Sequence, residues 1–145
     1  MNVGEPNSSI EIRSFEETDR SALEKLWSEV FGGDPLRNAP LRMIEQKLRV
    51  QPELLLVARV DDALVGAIMA GYDGVRGWLY HLAVAPEHRG RGVATRLVRE
   101  AESRLSALGC SKVNLQIRAS NAAVKAFYEK LGYSVEERIG MGRVL

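Results

Sequence analysis

P-E-H-R-G-R-G-V-A-T-R-L-V, residues Pro86 to Val98, alternates two arginines with two glycines and then enters an apolar helical pattern. A helix start leaves several backbone N–H groups unpaired and carries the positive end of the helix dipole. Glycine lets an outside group approach that backbone closely, and arginine adds positive charge. Such a stretch reads as a seat for a phosphate.

Three glycine-rich phosphate motifs compete for it. The P-loop needs a Lys followed by Ser or Thr after its second glycine, and no such pair occurs here. The dinucleotide fingerprint G-x-G-x-x-G finds Gly90 and Gly92, but Thr95 stands at its third glycine. That fingerprint also opens a domain rather than following an antiparallel hairpin. The third pattern is Gln or Arg, two residues, Gly, one residue, then Gly or Ala, between a strand and a long helix. Arg89-Gly90-Arg91-Gly92-Val93-Ala94 meets it at every fixed position.

Working outward, W-L-Y-H-L-A-V (Trp78 to Val84) reads as the strand before this loop, stopped by Pro86. Ala94, Leu97, Val98, Ala101, Leu105 and Leu108 recur at helical spacing after it, and Gly109 closes that helix. Upstream, Leu54 to Val60 reads as a strand buried on both faces, and Asp61-Asp62 turn it into L-V-G-A-I-M-A-G-Y as a hairpin. Ile10 to Phe15 alternates as a half-buried first strand. Thr18-Asp19 can cap a helix carrying Ala22, Leu23, Leu26, Trp27 and Val30, which F-G-G-D-P breaks. A weaker helix follows from Pro40 to Val50, with Leu41, Ile44 and Leu48 inward.

Downstream, Val113 to Arg118 alternates as a strand, and Asn121 caps a helix from Ala122 to Leu131 that ends at Gly132. Tyr133 to Ile139 and Met141 to Leu145 read as one or two short final strands. Residues 1–9 read as a flexible tail, and 10–145 as one α/β domain, of α+β type with a mixed sheet.

The bulk numbers agree with one domain. The chain has 145 residues, with 46% hydrophobic and 27% charged residues, close to globular averages. A net charge of +1 argues against nucleic acid as a partner of the whole chain. The basic residues Arg89, Arg91, Arg96 and Arg99 are interleaved with Glu100 and Glu102, as on a solvated helix face. The single cysteine, Cys110, allows no internal disulfide and sits at a helix end, where a structural thiol is expected. Neither a secretory signal nor an apolar run of membrane-spanning length is present, so no membrane partner and a cytoplasmic location are expected.

The loop Arg89–Ala94, the preceding L-A-V-x-P and the downstream N-A-A-V-K-A-F-Y-E-K-L-G-Y (Asn121 to Tyr133) together resemble the GNAT superfamily of acetyl-CoA-dependent N-acetyltransferases. R-A-S-N-A-A-V-K-A-F-Y-E-K-L-G-Y is most similar to the small bacterial members that acetylate ribosomal-protein N-termini, although it assigns no acceptor. The resemblance implies a mostly antiparallel sheet of six to seven strands with about four helices, splayed between the fourth and fifth strands. It implies acetyl-CoA as co-substrate, with no metal, held by Arg89, Gly90, Arg91, Gly92, Val93, Ala94 and Thr95 at the pyrophosphate. Main-chain groups of Leu82 and Val84 would hold the pantetheine, and Asn121 would contact the cofactor as well as capping its helix.

The resemblance also makes Tyr128 the group that protonates the departing thiolate; the plainer reading packs it on the sheet. A phenol near pKa 10 and a thiol near about 8.5 are close enough for that transfer. Relatives often have an acidic base where Gln116 or Trp78 stands here. His81 is then the remaining base candidate, and equally a packed histidine; Glu53, Asp73 and Glu87 are distant alternatives acting through water. Asp34, Glu29 and Asp73 would attract a cationic amine or serve as plain surface charge. The acceptor pocket is expected between the two N-terminal helices and the Tyr72-Asp73-Gly74 turn, with Phe31 to Asn38 lining it. The acceptor is expected to be a small-molecule or peptide amine, and the brief final strand makes a homodimer an expectation. The competing reading is a non-catalytic acyl-CoA sensor.

Overall fold

A computed structural model describes residues 9–145; residues 1–8, most of the expected tail, lie outside the described residues. Five strands form one sheet in the order β1 (Glu11–Ser14), β2 (Leu55–Val60), β3 (Ala63–Tyr72), β4 (Gly77–Val84) and β5 (Val113–Leu115). The first three pairings are antiparallel and β4 runs parallel to β5. Four α-helices flank it: α1 (Arg20–Phe31), α2 (Pro40–Leu48), α3 (Val93–Ala107) and α4 (Ala122–Lys130).

The β2–β3 turn forms because Asp61 and Asp62 both adopt left-handed backbone, φ 48° and 65°, which short polar side chains tolerate. Both faces of β2 are covered, as its unbroken apolar run requires. Leu55 and Val57 meet Leu23, Leu26 and Trp27 of α1 and Ile44 of α2. Leu56 and Ala58 meet Leu97, Val98, Ala101 and Leu105 of α3. Each such fully buried large side chain contributes about 1.5–3 kcal/mol.

A bulge interrupts β4. Tyr80 pairs with Met69 and Ala83 with Ala67, so His81 and Leu82 share the single partner position Ile68. His81 takes φ +50° to accommodate the extra residue. The side-chain alternation flips there: Leu79 joins the α3 face, whereas Ala83, four residues on, joins the α1 face.

Four expectations are corrected. Among the described residues the sheet has five strands, not six or seven: residues 133–145 form no strand, and Val135, Ile139, Met141, Val144 and Leu145 are exposed. A terminal strand needs a ladder to join, and the adjacent β5 is only three residues long; Glu136 instead pairs with Lys112 at 2.8 Å. β5 itself ends at Leu115 rather than Arg118. Leu41 is exposed, because the buried stripe of α2 runs through Ile44 and Lys47. Asp19 does not cap α1 with its side chain. It is fully buried, accepting from the Glu16 N–H at 2.8 Å, from Arg13 at 2.7 and 3.1 Å and from Arg59 at 3.1 Å.

Candidate active site

Two openings in the backbone define the site. The first lies where β4 and β5 part. Their pairing covers only Gly77–Val113, Trp78–Asn114 and Leu79–Leu115, so Tyr80 to Val84 have no partner on that side. The second lies at the start of α3. Gly90 and Gly92 have φ +78° and +82°, and a Cβ at either would meet nothing within 4 Å. Gly92 is the N-cap, and no side chain caps the helix. The result is a bare loop leading to open helix N–H groups, which fits a pyrophosphate approaching the main chain.

Arg89 lies at the loop entrance, where its Nε donates to the Val84 carbonyl at 3.1 Å and ties the loop to the end of β4. Arg91 is exposed, Val93 is buried beneath the helix start, and Ala94 and Thr95 are half-buried. A cavity of about 200 Å³ borders Arg91, His88 and Asp61, and neither His81 nor Tyr128 lines it. Asn121 caps α4, accepting from the Val124 N–H at 3.2 Å. Leu82 and Val84 send their side chains into the α3 side of the core.

The two candidate catalytic side chains lie on opposite faces of the sheet. Tyr128 is buried on the α3–α4 face, edge-on to Phe127 and Tyr133 at 5.0 and 5.3 Å. Burial pushes its hydroxyl up to about 12, so it holds its proton throughout the neutral range. His81 packs on the α1 face against Trp27 and Phe31, with ring centroids 5.4 and 4.6 Å away. Its Nε2 is buried with no hydrogen-bond partner among the described residues. Desolvation lowers its pKa and Asp34 partly opposes this, so the ring is a neutral acceptor at pH 7.

Of the distant acids, Asp73 accepts from the Val75 and Arg76 N–H groups at 2.8 and 2.7 Å and closes the β3–β4 turn. These bonds depress its pKa and commit it to the turn. Asp34 receives Arg118 Nη2 at 2.8 Å, joining the α1–α2 connection to the chain after β5. Gln116 is exposed, and Trp78 is half-buried opposite Asn114 and Gly71. Cys110 is half-buried, with its Sγ donating to the Lys112 carbonyl at 3.2 Å.

Sequence reasoning missed three contributors. Trp27 read as helix core, yet its Nε1 donates to the His81 carbonyl at 3.2 Å. Gln51 bonds both main-chain groups of Tyr72, at 3.0 and 2.9 Å, and anchors the edge of the expected acceptor pocket. Lys47 is buried in the apolar stripe of α2. A lysine three residues after Ile44 and one before Leu48 was the available signal; neither of the others left one.

Comparison with known proteins shows the family. Residues 19–133 match the model of the acetyltransferase (GNAT) family. An acetyltransferase of Yersinia enterocolitica is 45% identical over 138 residues, covering 94% of this chain and 96% of that one. An aminoglycoside N-acetyltransferase in complex with CoA superposes with a TM-score of 0.78 at 23% identity, covering 93% of this chain and 94% of the other. The PaiA N-acetyltransferase of Thermoplasma acidophilum, in complex with coenzyme A, gives 0.78 at 24% identity, covering 91% and 94%. The chain belongs to the GNAT family: it is an acetyl-CoA-dependent acetyltransferase.

Proposed function

We propose that the enzyme acetylates a primary amine directly, with the amine and acetyl-CoA bound together. The observation that carries this reading is the gap between β4 and β5 beyond Leu79, next to the bare glycine loop at the start of α3. Acetyl-CoA supplies an activated acetyl thioester. Gly90 to Thr95 hold its pyrophosphate through main-chain N–H groups, with charge from Arg89 and Arg91. Main-chain groups of Leu82 and Val84 align the pantetheine as an added strand would. The Leu82 N–H donates to the oxygen that gains charge as the amine attacks. Asn121 contacts the same molecule at the start of α4.

His81 takes the proton of the attacking ammonium from the α1 face. Its uncharged ring and unpartnered Nε2 support that role. Tyr128 gives its proton to the departing sulfur from the other face, which its protonated, buried hydroxyl supports. The acceptor enters between α1, α2 and the Tyr72–Gly74 turn. Cys110 stays outside the chemistry, so no acetyl-cysteine forms. The reading places the enzyme in the cytoplasm and takes the exposed apolar residues of 133–145 as a homodimer surface.

The test is calorimetric titration with acetyl-CoA, followed by thiol release across amines and N-terminal peptides. Binding with turnover on an amine is expected. Binding without turnover on any acceptor would favour the acyl-CoA sensor. No binding would overturn the reading.

A further inference from the structure

Lys47 stands on α2 with only 9% of its surface exposed, and its ammonium makes no hydrogen bond or ion pair among the described residues. Taking an ammonium out of water without an anion is costly, and a hydrocarbon of similar length would fill the same space without that cost. Burial depresses the Lys47 pKa, against the pull of Glu53, which is exposed on the chain leading into β2.

What faces Lys47 is Gly71 of β3, which presents no side chain. A Cβ built on Gly71 of β3 would lie 3.8 Å from Lys47 Nζ and 3.8 Å from Tyr80 Cε2. The absent side chain leaves room between an ammonium and the edge of a phenol. Tyr80 is 45% exposed, and no hydrogen bond occupies its hydroxyl among the described residues. It lies on the α1–α2 face of β4, immediately before His81. Gly71 therefore borders the expected acceptor pocket, three residues along β3 (~10 Å) from Ile68, the position opposite the bulge.

We propose that Lys47 and Tyr80 bind a carboxylate on the acceptor, seated over Gly71, while the acceptor's amine reaches His81. Two donors flanking the bare backbone of Gly71 match the two oxygens of a carboxylate. A phosphoryl group presents three oxygens and more charge, which these two donors leave unmatched. The enzyme then selects amino acids or short peptides whose carboxylate lies several bonds from the reacting amine. This inference rests on the amine-acetylating reading above.

The test is thiol release with amino acids from glycine to 6-aminohexanoate, with alkylamines of matching length, and with O-phosphoethanolamine. Wild type and the variants Lys47→Met and Tyr80→Phe are compared. Lys47→Met keeps an unbranched apolar stem in the α2 stripe and removes a charge with no anion beside it, so it is expected to fold, with a melting temperature at or above that of wild type. We expect wild type to prefer one length of amino acid over its alkylamine about 10- to 100-fold in kcat/KM. Lys47→Met abolishes that preference by raising KM for the amino acids to that for the alkylamines of matching length. Equal use of both series, a preference that survives Lys47→Met, or a stronger response to O-phosphoethanolamine would each overturn the carboxylate site while the acetyltransferase reading stands. Binding of acetyl-CoA with no turnover on any amine would overturn both.

Discussion

The indole Nε1 of Trp27 donates to the main-chain carbonyl of His81 across 3.2 Å, tying the middle of α1 to the bulge in β4. The bulge residue occupies a left-handed conformation that a non-glycine residue holds only when its surroundings impose it. The helix thus keeps the strand in the shape that leaves Leu82 beyond the reach of β5.

Trp27→Phe keeps most of the apolar volume and deletes the donor. One buried hydrogen bond is worth about 1 kcal/mol, so the bulge becomes mobile without the core collapsing. We expect kcat to fall about tenfold. The dissociation constant for acetyl-CoA, measured by calorimetry, should stay within about twofold, because the glycine loop is untouched. An unchanged kcat would separate the bulge from the chemistry.

His81 titrates below its usual value because burial disfavours the imidazolium, with Asp34 acting against that effect. As a base it works only when neutral, so kcat/KM should be flat around pH 7 and fall on an acidic limb below about 6.5. His81→Gln should remove the limb and most of the rate. Asp34→Asn withdraws the charge that favours imidazolium, and should move the limb to lower pH. A limb that stays put in Asp34→Asn would mean another group is titrating.

The parts of the fold governed by local rules were legible in the sequence. Asp61-Asp62 between two apolar runs named the hairpin, and the spacing of Leu97, Val98, Ala101 and Leu105 named α3 and its buried face. The glycine loop was legible as local structure, because the left-handed positions Gly90 and Gly92 before α3 call for glycine. Long-range features were not. The alternation in Tyr133 to Leu145 describes a segment able to pair, but pairing depends on a neighbouring edge, and β5 is too short. The bulge at His81 inserts one residue and leaves no compositional mark. Lys47 belongs to an apolar stripe by position although its head group is charged, and periodicity reads only position.

If the glycine loop seats the pyrophosphate, Gly92 should separate cofactor binding from folding. Its φ of +82° strains any other residue by about 1 kcal/mol, while a Cβ there touches nothing in the protein. Gly92→Ala should therefore lower stability by only that amount in chemical denaturation. Calorimetry should show the acetyl-CoA dissociation constant rising about tenfold or more, because the methyl group occupies the surface the pyrophosphate approaches. Wild-type affinity would remove the loop from the binding site.

Tyr128 makes no hydrogen bond through its hydroxyl among the described residues, although the ring is buried between Phe127 and Tyr133. Tyr128→Phe therefore breaks no polar contact, and its melting temperature should hardly move. If the hydroxyl protonates the leaving sulfur, kcat falls about a hundredfold at constant acetyl-CoA affinity. Steady-state thiol release on the best amine decides the matter, and an unchanged kcat would leave Tyr128 as a packing residue.

Asp19 carries the clearest pH dependence of stability. Burial alone would raise its pKa, but Arg13, the Glu16 N–H and Arg59 outweigh that, and the net shift is downward. A carboxylate with a depressed folded pKa contributes fully above its unfolded value of about 4, and the contribution disappears as pH falls through the folded value. Asp19→Asn leaves two arginines facing a neutral amide, each about a fifth exposed. The cost at pH 7 should be about 3 kcal/mol, at the low end for a broken buried pair. Urea unfolding at pH 7 and again near pH 3 should show the gap between wild type and variant narrowing at the acid end. A gap that stays constant would mean the carboxylate's charge is not what holds β1, β2 and the start of α1 together.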